Sequence, residues 1–180
     1  MKKNVLVISS SLRVTSNSAV LAHEIVRGAK DAGHNAEFLS LVDVDLNFCK
    51  GCLACQKTHS CVINDDASMI VDKVRCADVI VFATPVYYYG MSGQLKTLLD
   101  RLNPLYGGDY SFRDIYVVCT AADDDPATPD RIFGGIEGWV SCFENAQIKG
   151  KLFCGGVDAP GEVMSKYNYM ENAYLLGRNI

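Results

Sequence analysis

The stretch "NVLVISSSLRVTSNSAVLAHEIVRGAKDAG", residues Asn4 to Gly33, contains the unit from which the whole fold is predicted. Its compact apolar run, Asn4–Ser9, ends at a cluster of serines, and a pattern with apolar residues at helical spacing follows. Gly33 is a typical stop signal for such a helix. The stretch therefore predicts a buried strand, a polar loop and a helix, in that order.

The same alternation of apolar runs and helical patterns continues along the chain. The further predicted strands are "NAEFLSL", "VIVFATP", "IYVVCTAA" and "KLFCGGV". Strands that are apolar on both faces and separated by helices predict a parallel sheet covered on both sides. Right-handed crossovers then give an α/β three-layer sandwich whose five parallel strands have the order 2-1-3-4-5.

The composition indicates one folded domain over residues 1–180, with a cysteine-rich loop at residues 47–65. Hydrophobic residues make up 49% and charged residues 21% of the 180 positions, and the net charge is −4. No basic patch for nucleic acid is expected from such a charge balance. The apolar start is too short for a secretory signal, and no stretch reaches the roughly 18 apolar residues of a membrane span. We expect a cytoplasmic protein that contacts neither nucleic acid nor membrane.

The first loop, "SSSLRVTSNS", follows strand 1 at the point where the strand order reverses. Ligands of open α/β sheets bind at this point. The loop lacks the glycine patterns of dinucleotide and P-loop sites, but it brings hydroxyls and one arginine to a helix N-terminus, which suits a phosphate. Alternatively, the serines only cap the helix. The predicted phosphate-side residues are Ser9, Ser11, Arg13, Ser16, Asn17 and Ser18.

The second loop, "TPVYYYGMSGQ", contains three consecutive tyrosines beside glycines. Aromatic rings at the mouth of a site can cover a planar ligand and hydrogen-bond to its edge. Alternatively, the tyrosines form a dimer surface, and both interpretations can hold together. A phosphate loop beside an aromatic loop predicts FMN. The predicted ring-side residues are Pro85, Val86, Tyr87, Tyr88, Tyr89, Gly90 and Met91, with Thr120 and Ala121 from the third loop.

The cysteine-rich loop reads "NFCKGCLACQKTHSCVIND" from Asn47 to Asp65. The spacing of Cys49, Cys52, Cys55 and Cys61 is typical of a [4Fe–4S] site. A zinc site fits less well because it usually uses two separated pairs. Redox-active thiols or a disulfide are the third alternative. The other cysteines are predicted to be small buried hydrophobes: Cys76, Cys119, Cys142 and Cys154.

These loops resemble those of the flavodoxin-like NADPH-dependent FMN reductases and their iron-sulfur flavoprotein relatives. The family's first loop typically reads G-S-P-R-x-x-G-N-T, of which this chain keeps Ser11, Arg13 and Asn17 while Gly, Pro, Gly and Thr are replaced. The second loop and the helix after it match closely. The matched positions are Thr84, Pro85, Val86, Tyr87, Gly90, Met91, Ser92, Asp100 and Arg101.

The resemblance implies a flavodoxin-like fold and non-covalently bound FMN that takes a hydride at N5 from NADPH or NADH. No side chain is then expected to be catalytic, because flavin N5 carries the chemistry. The expected function is an oxidoreductase acting on a small flavin- or quinone-type acceptor. The alternatives are an iron-sulfur flavoprotein taking electrons from ferredoxin, or a non-enzymatic electron carrier or thiol redox sensor. The resemblance also implies a homodimer or homotetramer.

Overall fold

The computed structural model describes residues 1–180. The strands are β1 (Asn4–Ser9), β2 (Asn35–Ser40), β3 (Val79–Tyr87), β4 (Gly90–Met91), β5 (Asp114–Thr120) and β6 (Gln147–Cys154). The helices are α1 (Asn17–Asp31), α2 (Cys55–Thr58), α3 (Ala67–Cys76), α4 (Gly93–Arg101), α5 (Asp130–Val140) and α6 (Tyr167–Arg178). Short 3₁₀ turns lie at Asn103–Leu105 and Glu162–Ser165.

Five of the strands form a parallel sheet in the order β2-β1-β3-β5-β6, which confirms the predicted fold class and strand order. One strand is additional. β4 pairs antiparallel with the end of β3, in the register Val86↔Met91 and Tyr87↔Gly90. The third parallel strand thus turns back on itself as a short hairpin at the carboxyl edge of the sheet.

Two hydrophobic cores lie on opposite faces of the sheet, because successive side chains of a strand alternate between its faces. In β1, Leu6 and Ile8 belong to the core beneath α3, α4 and α5. Val5 and Val7 belong to the core beneath α1 and α6. Both faces are therefore dry, and the strand ends remain as the place where polar groups gather.

The prediction of four buried single cysteines is correct for two of them. Cys119 and Cys154 are buried, and burial raises the pKa of both thiols to about 12. Cys76 and Cys142 are exposed, so the prediction is wrong there. Both lie at or just beyond the end of a helix, α3 and α5, where the chain leaves the core. None of the helices is both long and apolar enough to cross a bilayer.

Candidate functional site

A cavity of about 240 Å³ lies where the ends of β1, β3, β5 and β6 meet. Its lining unites the three predicted loops and brings together ten of the fifteen predicted FMN-site residues. They are Ser11, Arg13, Ser16, Asn17, Ser18, Pro85, Val86, Tyr87, Thr120 and Ala121. Ala122, Val157 and Asp158 also line it and were not predicted. The last two belong to the turn after β6, whose glycines were the available signal.

The first loop places hydroxyl groups in the interior that the protein itself leaves unbonded. Ser16 caps α1, its Oγ accepting a hydrogen bond from the Ala19 amide at 3.2 Å. The capping alternative thus holds for Ser16. The Oγ atoms of Ser9 and Ser18, however, are buried without any hydrogen-bond partner. Because nearly all buried polar atoms in proteins are paired, the unpaired hydroxyl of Ser18, which lines the cavity, fits a polar ligand bound there.

Two side chains of the first loop are tied to the segment after β6. Arg13 Nη1 donates to the Asp158 carbonyl at 2.9 Å, and Asn17 Nδ2 donates to the Ala159 carbonyl at 3.0 Å. The guanidinium of Arg13 carries further N–H groups and is exposed, so it can also meet an anion. The α1 N-terminus adds backbone N–H groups that have no partner within the helix. Donors from several sources thus surround one end of the cavity.

A buried network of hydroxyls joins the first loop to the second. Ser92 Oγ donates to Ser10 Oγ at 2.9 Å, and Ser10 Oγ is 3.2 Å from the Ala83 carbonyl that it donates to. The Ser92 amide donates to Thr84 Oγ1 at 3.2 Å, and Ser92 Oγ caps α4 by accepting from Leu95. These buried hydrogen bonds fix the two loops relative to each other.

The tyrosines form the tip of the β3–β4 hairpin. Tyr88 and Tyr89 both have positive φ, 49° and 62°, as the type I′ turn of a two-residue hairpin requires. Tyr88 is fully exposed, and the Tyr89 hydroxyl lies 3.4 Å from the carboxylate of Asp123, to which it donates. Bulky residues rarely adopt this conformation, which concentrates at functional sites.

Five of the predicted site residues do not line the cavity. They are Ser9, Tyr88, Tyr89, Gly90 and Met91. Ser9 is fully buried, Tyr88 and Tyr89 form the exposed tip of the hairpin, and Met91 packs against the core. Their contact with a ring stays a prediction.

The thiols of the cysteine-rich loop are not gathered at one point. Cys49 and Cys52 are exposed, while Cys55 is buried with its Sγ accepting from Asn103 Nδ2 at 3.2 Å. Cys61 Sγ accepts from Arg101 at 3.4 Å. No group of three or more His, Cys, Asp or Glu side chains is placed to hold a metal ion. The [4Fe–4S] site at these four cysteines therefore stays a prediction.

A buried ion pair closes the cysteine-rich loop at both ends. Arg101 Nη1 and Nη2 contact the two oxygens of Asp65 at 2.6 and 2.7 Å, and both side chains are completely buried. Arg101 also donates to the Asn47 carbonyl, and the Asn47 amide donates to Asp65. The Arg101 guanidinium holds the pKa of the Asp65 carboxyl far below its usual range. Sequence reasoning matched Arg101 to a motif but did not find this role.

The model of the family described as NADPH-dependent FMN reductase matches residues 3–124. An iron-sulfur flavoprotein of Methanocaldococcus jannaschii is 42% identical over 101 residues, covering 56% of this chain and 52% of that protein. A protein of Bacillus subtilis, named as an NAD(P)H-dependent FMN-containing oxidoreductase, is 28% identical over 96% of this chain and 95% of its own. The chain spans about half the length of the iron-sulfur flavoproteins it matches.

Solved structures show the same fold. The NAD(P)H:quinone oxidoreductase from Methanothermobacter marburgensis superposes with a TM-score of 0.77 at 17% identity, covering 99% of this chain and 96% of that one. A flavone reductase superposes with a TM-score of 0.75 at 20% identity, covering 98% of this chain and 61% of that one. At such identities the likeness concerns the arrangement of the chain.

Proposed function

The chain belongs to the NADPH-dependent FMN reductase family, and we propose on that basis that it is an FMN-dependent NAD(P)H oxidoreductase. Its acceptor would be a small molecule of the flavin or quinone class. The observation that carries the proposal is the cavity at the strand ends, where the buried Ser18 hydroxyl has no partner within the protein. A phosphate oxygen would provide that partner.

The phosphate of FMN would be bound by the first loop. Ser11 and Ser18 would donate from their hydroxyls, and Arg13 would contribute the N–H groups that Asp158 does not use. The α1 N-terminus favours a negative charge through its free N–H groups and its dipole. Arg13 and the α1 N-terminus would thus offset the negative charge of the phosphate at this end of the cavity.

The flavin ring would lie at the open end. The cavity is smaller than the about 300 to 1,000 Å³ of typical ligand pockets, so the ring must extend beyond it over Pro85–Tyr87 and Thr120–Ala122. The hairpin tip at Tyr88 and Tyr89 would then cover one side of the ring and keep water from it. Bound FMN supplies the chemistry, accepting a hydride and passing electrons on. The protein binds and orients the ring.

The test is to reconstitute the purified chain with FMN and follow oxidation of NADPH and of NADH with and without a quinone. We expect about one FMN per cavity and acceptor-dependent turnover. The Ser111→Ala variant, changed at an exposed position beyond the opposite edge of the sheet, serves as the control and should match the original chain. A chain that binds no FMN would contradict the proposal.

A second function is favoured by the names of the relatives that match about half of this chain. Several are iron-sulfur flavoproteins, and Cys49, Cys52, Cys55 and Cys61 have the spacing of a [4Fe–4S] site. In that case ferredoxin would be the donor. Iron and flavin assays on protein purified without oxygen distinguish the two. About four irons per chain with weak NAD(P)H turnover would favour this function, and negligible iron would favour the first.

We also propose a homodimer or homotetramer in the cytoplasm. The exposed tyrosines Tyr87–Tyr89 offer a contact surface beside the cavity. All eight cysteines are unpaired, as is usual in a reducing compartment. Sedimentation analysis of the FMN-bound protein tests the oligomeric state, and a monomer would contradict it. Cell fractionation tests the location separately.

A further inference from the structure

We propose that Asn17 is a positioning residue that makes the site prefer FMN over riboflavin. Its side-chain amide holds the segment 158–166, here called the strap, against the phosphate end of the cavity. This inference rests on the proposed function, because it concerns how the same cavity recognises the phosphate of its flavin.

Both polar atoms of the Asn17 side chain are bonded to the strap. Nδ2 donates to the Ala159 carbonyl at 3.0 Å, and Oδ1 accepts from the Val163 amide at 3.0 Å. Asn17 is only 7% exposed and Val163 is completely buried, so water does not compete for these bonds. One N–H of the Asn17 amide is left over, and the residue lines the cavity. Asn17 therefore links the strap to the cavity wall.

Further contacts join the strap to the same loop. Arg13 Nη1 donates to the Asp158 carbonyl, and Asp158 itself lines the cavity. Gly161 has a φ of +74°, and a Cβ there would come within 3.2 Å of the Thr15 side chain. The strap thus lies in close contact with the first loop along the stretch from Arg13 to Asn17.

The strap is also braced from within. Oε2 of Glu162 accepts from the amides of Asp158 and Ala159 at 2.8 and 3.0 Å. These bonds curl the start of the strap into the conformation in which the Ala159 carbonyl meets Asn17. Glu162 does not line the cavity. A change at Glu162 therefore loosens the strap without removing a wall of the site.

The consequence is selective for the phosphate end. Arg13 and Asn17 are hydrogen-bonded to the strap, and Asp158 is part of it. The ring-side walls at Pro85–Tyr87 and Thr120–Ala122 make no hydrogen bond to the strap. If the strap is released, the donors that face the phosphate lose their fixed positions. Riboflavin carries the same ring without the phosphate, so its binding should change little.

The experiment compares the affinities of the full chain for FMN and for riboflavin by fluorescence titration, together with hydrogen exchange at the Val163 amide. Asn17→Ala should weaken FMN binding about ten- to hundredfold, because the donors that face the phosphate must then be ordered when FMN binds. Riboflavin binding should change less than about threefold. Exchange at Val163 should accelerate in Asn17→Ala and remain slow in Asn17→Asp, which keeps the accepting oxygen.

Two further variants make the result decisive. Glu162→Ala should lower the FMN-to-riboflavin affinity ratio in the same direction, and it tests the strap even if Asn17→Ala does not fold. Asn35→Ala is the matched control, because the Asn35 amide pairs with Asn4 at the opposite edge of the sheet. It should leave the ratio unchanged.

The outcomes separate this inference from the proposed function. A folded Asn17→Ala protein with the original affinity ratio, or with unchanged exchange at Val163, would overturn the role of Asn17 alone. An original chain that binds neither flavin would overturn the proposed function and the preference together.

Discussion

At the scale of single residues, the Ser18 hydroxyl lowers the stability of the folded chain but offers a ligand a free hydrogen-bonding group. This hydroxyl is buried, with the residue 1% exposed, and it has no hydrogen-bond partner. An unsatisfied buried polar group costs about 1 to 3 kcal/mol. The neighbouring hydroxyls of Ser10 and Ser16 are paired. Of the two buried hydroxyls without a partner, those of Ser9 and Ser18, only that of Ser18 belongs to a residue that lines the cavity.

Ser18→Ala should therefore have opposite effects on stability and on binding. Without ligand, the free energy of unfolding should stay equal or rise by up to about 1 kcal/mol, because an unpaired hydroxyl is removed. FMN affinity should fall about tenfold, the equivalent of one lost hydrogen bond to a charged group. Urea unfolding and flavin titration measure the two effects. A Ser18→Ala protein that is less stable but binds FMN normally would contradict this account.

Tyr88 carries backbone strain that its exposed side chain does not offset. Asn tolerates positive φ much better than Tyr, so Tyr88→Asn should raise the free energy of unfolding by about 0.5 to 1 kcal/mol. Tyr106→Asn is the control, because Tyr106 is a half-exposed tyrosine with a φ of −66°. It should give no gain. The measurement is the urea midpoint of each variant, and equal midpoints would show that the turn is not strained.

At the scale of elements, α1 and α6 approach each other through glycine. A Cβ on Gly28 of α1 would lie 2.1 Å from the Tyr174 carbonyl oxygen, and one on Gly177 of α6 would lie 2.1 Å from the Ile25 carbonyl oxygen. Both obstacles are backbone atoms, so no rotamer change can relieve them. The two helices can pack this closely only because both positions lack a side chain.

Gly28→Ala should destabilise the protein by several kcal/mol, although the same change stabilises an open helix by about 1 kcal/mol. Gly138→Ala in α5 is the matched control, since a Cβ at Gly138 meets nothing within 4 Å. It should stabilise by about 0.5 to 1 kcal/mol. Thermal unfolding of both variants decides the point. A Gly28→Ala protein that is as stable as the original chain, or more stable, would mean that the helices move apart without cost.

The Asp65–Arg101 pair links α4 to the ends of the cysteine-rich loop, and its contribution should depend on pH. The pKa of Asp65 is lowered on folding, so its stabilisation is fully present above about pH 5 and is lost as pH falls below the unfolded value of about 3.9. Asp65→Asn should cost about 3 to 5 kcal/mol at pH 7, because Arg101 stays buried and unpaired.

The difference in the free energy of unfolding between the Asp65→Asn variant and the original chain should become smaller as the pH falls from about 5 towards 2. Urea unfolding at pH 7, 5 and 3 measures it. Asp72→Asn is the control, because Asp72 pairs with Arg75 at an exposed position and should cost less than about 1 kcal/mol. A difference that does not change with pH would mean that Asp65 is not the titrating partner.

At the scale of the whole molecule, the features that could be predicted are those with a period or a long motif. The parallel strands are apolar on both faces, and the first loop follows the first of them directly. β4 has only two residues, so no period reveals it. The strand predicted at "KLFCGGV" begins earlier, at Gln147, because the first part of β6 alternates exposed and half-buried residues and so forms no continuous apolar run.

The contacts that shape the site could not be predicted from the sequence, because they join residues that are far apart along the chain. From the sequence, Arg101 belongs to the polar face of an amphipathic helix. In the structure it pairs with Asp65, 36 residues away, and both side chains are buried. The partner of Asn17 at Val163 lies 146 residues away. Ten predicted residues share one cavity because strand ends meet whatever their separation along the chain. The contacts of each of these side chains can therefore be identified only from the folded structure.

Flavin binding should stabilise the entire sheet, because the cavity joins the ends of four parallel strands and so depends on their being folded together. A ligand at a hundred times its Kd that binds only the folded state adds about 2.7 kcal/mol. For a chain of this size, this corresponds to a rise of roughly 5 to 10 °C in Tm. Riboflavin at the same concentration should give a smaller rise, since it lacks the phosphate that the first loop would bind. Scanning calorimetry with each flavin measures the difference. Equal shifts would show that the first loop, with the unpaired Ser18 hydroxyl, does not recognise the phosphate.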